Sequence, residues 1–256
     1  MAIKKPISDR PLVSIVTPSF NSEKFIAESI ASVQNQTVTD WERLIVDDAS
    51  SDDTVAYIQK LQAEDTRIKC FPLTENKGPA NARNLGIKQA QGIYLTFLDA
   101  DDIWFSEFLE TSIIEAKKHR FVFASYQRLD ENLKPYLSDF IVPRKVSYTD
   151  ILKSNSISCL TAFLDIEKLG KKYMPLIQKR QDMGLWLQYL KEIDFAHGIQ
   201  KPLAIYRIRR NSLSRNKKSL LKYQWKFYRE VEGLSFIDSA YYMSCWAYKG
   251  FIKYRN

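Results

Sequence analysis

Cysteine and histidine are scarce in this 256-residue chain, which has three of the first and two of the second. Cys70, Cys159 and Cys245 are odd in number and far apart, which argues against a disulfide framework and against a CxxC metal site. With only His119 and His197, a His-rich metal centre is excluded. Long apolar stretches are also missing. No uncharged run approaches the ~18 residues a membrane-spanning helix requires. The opening MAIKKPISDRP has no apolar segment behind its lysines, so no signal peptide is expected. A reducing cytoplasm is the default compartment for such a chain. Apolar residues make up 45% and charged residues 27%, which excludes a disordered or fibrous chain and allows a core without cross-links.

The net charge of +8 is unevenly placed. From residue 201 onward, thirteen Lys and Arg face three acids, whereas residues 1–200 carry 25 basic and 27 acidic residues. The basic tail is also aromatic. Lys218, Lys222, Lys226 and Arg229 recur on one helical face beside Leu221, Trp225 and Tyr228, and Phe236, Ala240, Met243, Ala247, Phe251 and Tyr254 make a second stripe. Basic, Trp/Tyr-rich amphipathic helices suit an anionic membrane surface. Packing of these stripes on the main domain or on a second subunit is the alternative. Nucleic acid ranks last, because no RNA-binding motif accompanies the aromatics.

Short β-branched runs alternate with helical periodicity. Strands are expected at 12–17, 41–46, 68–71, 93–98 and 121–126, and helices at 23–33, 55–61, 80–90 and 103–118. Beyond Asp130 the expectations are a strand at 158–164, a helix at 180–191 and a strand at 202–208. This order predicts an α/β fold with a mostly parallel central sheet flanked by helices. Ligands of such sheets bind at the carboxyl ends of strands, and two acidic clusters fall there, Asp47-Asp48 and Asp99-Ala100-Asp101-Asp102.

Each cluster has a plain and a chemical reading. Asp99, Asp101 and Asp102 repel one another, and a hard divalent cation with oxygen ligands, Mn²⁺ or Mg²⁺ shared with substrate phosphates, relieves that repulsion. A solvated turn with helix capping by Asp101 or Asp102 accounts for the triplet equally well. Asp48 offers an acceptor for a ligand N–H, or caps the next helix. Phe20 offers a face for a base to stack on, or packs in the core. Gly78-Pro79 opens a helix whose free N–H groups, with Lys77 and Arg83, favour a diphosphate. Asp182, in the first turn of a helix, ordinarily does no more than complement the helix dipole.

Taken in order, Val13–Asn21 (VSIVTPSFN), Gln36-Thr37 with Trp41–Ser50 (WERLIVDDAS), Gly78–Gly86 (GPANARNLG), Tyr94–Asp102 (YLTFLDADD) and Arg180–Trp186 resemble the family 2 glycosyltransferases of bacterial surface polysaccharide synthesis. The resemblance spans roughly residues 10–215. It implies a GT-A nucleotide-sugar fold at 11–215, after an extension at 1–10 and before a C-terminal helical region at 216–256. It implies a UDP-sugar donor, with Phe20 stacked on uracil, Asp48 on the base N3–H, Pro18 lining the same pocket and Arg83 near the base and diphosphate. Asp99 and Asp101 match the DxD motif, with Asp101 as direct ligand of Mn²⁺ or Mg²⁺. Asp182 matches the catalytic base, and Gln181 stands where the family usually has a second acid.

Tyr206–Ser214 resembles the closing motif. Arg209 replaces a frequent histidine there and, unable to ligate metal, would clamp diphosphate. The implied activity is metal-dependent inverting transfer to a saccharide acceptor, with a lipid-linked one expected, at the inner membrane face. A nucleotidyltransferase is disfavoured, because Thr17–Asn21 lacks the Gly-rich loop. A catalytically impaired, membrane-associated assembly partner is the non-enzymatic alternative, resting on Gln181 and Arg209 alone.

Overall fold

A computed structural model describes residues 10–209 and 217–253, with side chains at 10–209 and 220–250. Strands and helices alternate strictly at first: β1 (Val13–Ser19), α1 (Ile26–Gln34), β2 (Trp41–Asp47), α2 (Thr54–Glu64), β3 (Ile68–Pro72), α3 (Pro79–Gln89) and β4 (Tyr94–Phe97). The order then becomes irregular: β5 (Ile103–Trp104), α4 (Phe108–Ala116), β6 (Phe121–Asp130), β7 (Pro135–Phe140), β8 (Lys145–Val146), α5 (Tyr148–Lys153), β9 (Phe163–Asp165), α6 (Ile166–Leu169), α7 (Gln181–Leu190) and β10 (Ala196–Ile208). The tail forms α8 (Lys217–Lys226), a π-helical turn over Phe227–Val231, and α9 (Phe236–Lys253).

All the strands join one sheet in the order β3-β2-β1-β4-β9-β6-β10-β5, with β7 beside β6 and β8 beside β10. The expected parallel arrangement holds for β3, β2, β1 and β4 and for the β6–β10 pair. Elsewhere it does not: β9 runs antiparallel to β4 and β6, and β5, β7 and β8 are antiparallel to their neighbours. The sheet is therefore mixed. Its central strands are apolar on both faces because helices cover both. Alternation divides β1 between the layers: Val13 and Ile15 face α1, α2 and α4, whereas Val16 faces α3, α5 and α7. A Cβ at Gly86 would lie 2.4 Å from Val16 Cγ1, so glycine lets α3 lie directly on β1.

Two expected elements are revised. The helix expected over 103–118 begins only at Phe108. Ahead of it, Ile103–Trp104 pairs with β10, Phe105 N–H donates to Leu203 O at 3.0 Å, and the Trp104 indole donates to Leu160 O at 2.8 Å. Tertiary pairing wins over local helical spacing there. The strand expected over 158–164 opens instead with a 3₁₀ turn at Cys159–Thr161, fixed by the Thr161 hydroxyl on Ala124 O at 2.8 Å.

The tail is not free of the body. Phe227 and Tyr228 are buried in the same cluster as Trp186 and Tyr189, with Tyr242 and Met243 of α9 against it. Tyr148 donates to Glu232 at 2.8 Å, and Lys191 pairs with the same carboxylate at 2.8 Å. The inner face of α9 is thus partnered, whereas Phe236, Ile237, Tyr241 and Tyr248 remain exposed. Of the expected stripes, Lys218 and Phe251 have no described side chain, and Tyr254 lies outside the described residues.

Candidate active site

The loops after β1 and β2 are tied into one unit. Asp47 is fully buried and accepts from the Ser19 hydroxyl (2.8 Å), Ser50 N–H (2.8 Å) and the Ser50 hydroxyl (2.6 Å). Asn21 and Ala49 hold left-handed backbone, with φ of 46° and 63°. Ser50 Oγ accepts from Asn21 N–H at 2.8 Å, and Asn21 Oδ1 accepts from Ser51 N–H at 2.9 Å. Strained positions so secured persist where a site needs a fixed loop. Pro18 lies within β1 opposite Val46. Phe20 follows the strand with 48% of its surface exposed, so it does not pack in the core.

Asp48 is only 3% exposed, and its two oxygens accept from Lys77 N–H (2.8 Å) and Gly78 N–H (2.7 Å). It thereby anchors the start of α3, where Gly78 adopts φ 85° ahead of Pro79. Each carboxylate oxygen keeps a second lone pair for a ligand.

The acidic triplet follows β4. Asp99 Oδ1 receives Arg83 Nη2 at 2.6 Å, and Asp101 Oδ2 receives Arg209 Nε at 2.7 Å. Burial, then the Asp99 charge, pushes the Asp101 carboxyl up, while Arg209 and Arg207 pull it back. Asp102 is pushed well above the usual range by burial and by Asp101 and Asp99. It caps no helix; its Oδ1 accepts from Arg207 N–H at 2.9 Å. Burial works against the Arg83 charge, but Asp99, Cys159 and Asp182 outweigh it and raise the pKa.

Asp182 opens α7, behind Arg180 in left-handed backbone at φ 70°. Its Oδ2 accepts from Asn155 Nδ2 at 3.1 Å. Gln181, where a second acid is usual, is largely buried and donates to Ile177 O at 2.7 Å. Tail residues brace this segment. Lys179 lies 5.4 Å from the ring centre of Tyr223, and Arg180 lies 5.5 Å from that of Trp246. The Tyr223 hydroxyl also bonds Gln178.

A cleft of about 1210 Å³ gathers Arg83, Asp99, Asp182 and Arg209, with Tyr126, Asn155, Cys159 and Tyr206 among its other walls. Asp101 joins it through Arg209. Phe20, Pro18 and Asp48 stand outside that lining; Asp48 connects to it through Gly78, next to the wall residue Pro79. The cleft holds one thiol, Cys159, whose pKa is raised by burial. A smaller groove of about 570 Å³, with Leu176, Ile177 and Leu220 on its walls, shares the Gln178–Asp182 rim.

Three contributors escape sequence reading. Arg207, nearly buried, donates to Asp101 O (2.9 Å) and Glu131 O (2.8 Å), pairs with Glu28, and so shapes the acidic loop. Its alternation with Arg209 along the chain was the available signal. Asn155 had none. Arg43 is fully buried with only the hydroxyls of Thr17 (3.0 Å) and Ser29 (2.7 Å) as partners for Nε and Nη2; Ser29 in turn donates to Asp99 O at 3.2 Å. Burial draws its pKa down to about 9. Residues 210–214 of the closing motif lie outside the described residues.

Comparison with known proteins bears on the chain's family and fold. The sequence profile described as Glycosyl transferase family 2 matches residues 14–157. A Bacillus subtilis protein named "Putative teichuronic acid biosynthesis glycosyltransferase TuaG" is 40% identical over 235 residues, 91% of this chain and 93% of that one. The Escherichia coli UDP-Glc:alpha-D-GlcNAc-diphosphoundecaprenol beta-1,3-glucosyltransferase WfgD is 39% identical over 220 residues, 85% of each chain. Among solved structures, S. aureus TarS 1-349 with UDP-GlcNAc has a TM-score of 0.70 at 18% identity, covering 92% of this chain and 71% of that one, a likeness of fold.

Proposed function

The chain belongs to glycosyl transferase family 2 and is a glycosyltransferase, and from that premise we propose that it moves a sugar from a UDP-sugar to a lipid-linked saccharide acceptor with inversion at the anomeric carbon. The observation that carries this reading is one cleft lined by Arg83, Asp99, Asp182 and Arg209, at the carboxyl ends of β4 and β10. A cation pair and an acidic cluster suited to a diphosphate thus share a cavity with a partly exposed carboxylate suited to proton removal.

The acidic cluster fits a divalent cation. Asp101 and Asp102 are held up by burial and by mutual repulsion, a conflict that Mn²⁺ or Mg²⁺ relieves. Asp101, with Asp99 beside it, would hold the ion, which when bound offsets the charge developing on departing UDP. Arg209, now paired with Asp101, is placed to exchange that carboxylate for diphosphate oxygens as a charge-assisted fork. Arg83 stays fixed by Asp99 and supplies a second positive group. Phe20, exposed beside Pro18, offers its ring to uracil, and Asp48 offers its free lone pairs to the base.

Asp182 takes the proton from the acceptor hydroxyl while that oxygen attacks, with Asn155 holding its Oδ2. One in-line displacement converts an α-linked donor into a β-glycoside.

The acceptor class rests on the printed substrate of WfgD, a diphosphoundecaprenol-linked saccharide. Leu221, Phe236, Ile237, Tyr241 and Tyr248 are exposed beside Lys222, Lys226, Arg229 and Lys249, which suits peripheral contact with an anionic inner membrane face. No helix among the described residues is long and apolar enough to cross a membrane.

UDP release from a panel of UDP-sugars, with Mn²⁺ or with chelator, tests the reaction; metal-stimulated release with at least one donor is expected, and none with any donor and acceptor defeats it. Membrane contact is tested by sedimentation with anionic vesicles. Deleting 216–256 strips Phe227 and Tyr228 from the core, so Ile237→Asp with Tyr241→Ser is the informative variant. Equal pelleting of variant and wild type would refute the contact.

A further inference from the structure

Far from the cleft, at the opposite end of β10, the only two histidines of the chain meet. His197 is the second residue of β10, placed there by pairing with Val122 of β6 and Lys145 of β8. His119 follows α4, and its N–H closes a turn on Glu115 O at 3.0 Å, which sets the two side chains one helical turn apart. The imidazole rings stack with centroids 4.2 Å apart and planes within 10°. Glu115 Oε2 lies 3.8 Å from His197 Nε2. One ligand atom from each of Glu115, His119 and His197 falls within 4.8 Å of the other two. His197 Nδ1 is buried and has no hydrogen-bond partner.

A stacked surface pair explains the ring contact. It does not account for a carboxylate and two imidazoles converging within reach of one ion. We propose that Glu115, His119 and His197 form a site for a borderline divalent transition metal, Zn²⁺ foremost, which ties the end of α4 to the start of β10.

The donor set selects the metal class. Two imidazoles and one carboxylate suit Zn²⁺, Co²⁺ or Ni²⁺, whereas Mg²⁺ and Mn²⁺ favour oxygen alone. Tetrahedral Zn²⁺ with bonds of ~2.0–2.1 Å wants ligand atoms about 3.3 Å apart. The side chains therefore close by at most about 1.5 Å, and the parallel rings tilt about Cβ–Cγ to aim both lone pairs at one point. All three residues are only half-buried, which leaves room for that rotation and for a water as fourth ligand. Lys145 and Arg144 lie near enough to oppose a cation, and the Glu115 charge offsets them. The role is stabilising rather than chemical, since the whole of β10 separates this end from Arg207 and Arg209.

Count alone hides the site: two histidines 78 positions apart in sequence become neighbours only when β10 lies beside β6. A His-rich centre remains excluded, but a mixed site with one carboxylate is not.

The test uses the full metal-stripped chain with excess Mg²⁺ to occupy the carboxylate cluster. Calorimetric titration with Zn²⁺ is expected to give one site per chain, and free Zn²⁺ at about 100 times its Kd to raise Tm by about 5–10 °C. His119→Ala and His197→Ala each weaken binding by about tenfold or more, a loss of about 1.4 kcal/mol or more. Asp101→Asn leaves the affinity unchanged, and metal-stimulated UDP release survives in both histidine variants. Co²⁺ bound to wild type is expected to give the intense visible bands of a four-coordinate nitrogen site. The proposal falls if wild type binds no Zn²⁺, if the double histidine variant binds it as tightly, or if the Co²⁺ spectrum is that of an octahedral, all-oxygen ion.

Discussion

Replacing Asp182 by Asn separates proton removal from nucleotide binding. The new side chain keeps the size of the old one, and its Oδ1 can still accept from Asn155 Nδ2, which now lies 3.1 Å from Asp182 Oδ2. Losing one negative charge from the first turn of α7 costs the fold about 0.3–1 kcal/mol, too little to unfold a domain of this size. Arg83 loses one of its negative neighbours but keeps the larger one, Asp99, at 2.6 Å. The Arg209–Asp101 pair is untouched. UDP affinity is therefore expected to change by less than about threefold, under about 0.7 kcal/mol. Turnover should fall by about 10²–10⁴, the usual worth of a general base, or about 2.7–5.4 kcal/mol of barrier. UDP release at saturating donor and acceptor measures turnover, and quenching of tryptophan fluorescence by UDP measures affinity. Retained turnover with lost UDP binding would mean that Asp182 serves the nucleotide and that the base lies elsewhere.

Arg209→Ala is expected to raise the KM for the UDP-sugar by about 10–100-fold, the loss of a charge-assisted hydrogen bond of ~1.5–3 kcal/mol; an unchanged KM would place the diphosphate elsewhere. Asp102 gives a pH signature. Its raised pKa means that the folded state binds a proton the unfolded chain has already released, so its contribution falls as pH rises from the ordinary carboxyl range toward the folded value. Asp102→Asn, which can still accept from Arg207 N–H, should therefore gain stability relative to wild type as pH rises above the ordinary carboxyl range; denaturation midpoints whose gap stays constant as pH rises refute this. Arg43 holds a buried charge with no acidic partner, so Arg43→Met is expected to match or exceed wild-type stability, by up to about 4 kcal/mol; a lower Tm would show that Thr17 and Ser29 depend on it. Gly86→Ala drives a methyl group into Val16 and should cost about 1–3 kcal/mol in chemical denaturation, with α3 displaced from β1.

The first part of the chain was legible because each element carries its own signal. Strands β1, β2 and β4 are short runs rich in apolar residues, and acidic or polar residues end them where the sheet presents its ligand edge. Asp48 and Asp99 could therefore be placed at strand ends by pattern alone. What pattern could not supply was partnership. Nothing local says that both Asp48 oxygens hold the amides of Lys77 and Gly78, or that Asp102 faces Arg207 across the sheet. Those bonds join residues 29 to 105 positions apart. The stretch from Asp130 to Arg180 was opaque for another reason. It consists of β7, β8 and β9, short helices and a 3₁₀ turn, elements too brief to show a period. The hairpin of β6 and β7, and Asn155 beside Asp182, emerge only from packing.

Trp246 and Tyr223 reach back from the tail to Arg180 and Lys179, the residues just ahead of Asp182. The last helices are in that sense a buttress for the segment that carries Asp182. A change confined to α9 will register in turnover even in detergent-free solution with no lipid present. On the proposed membrane contact, a bilayer that displaced α9 would move the backbone that carries Asp182 as well.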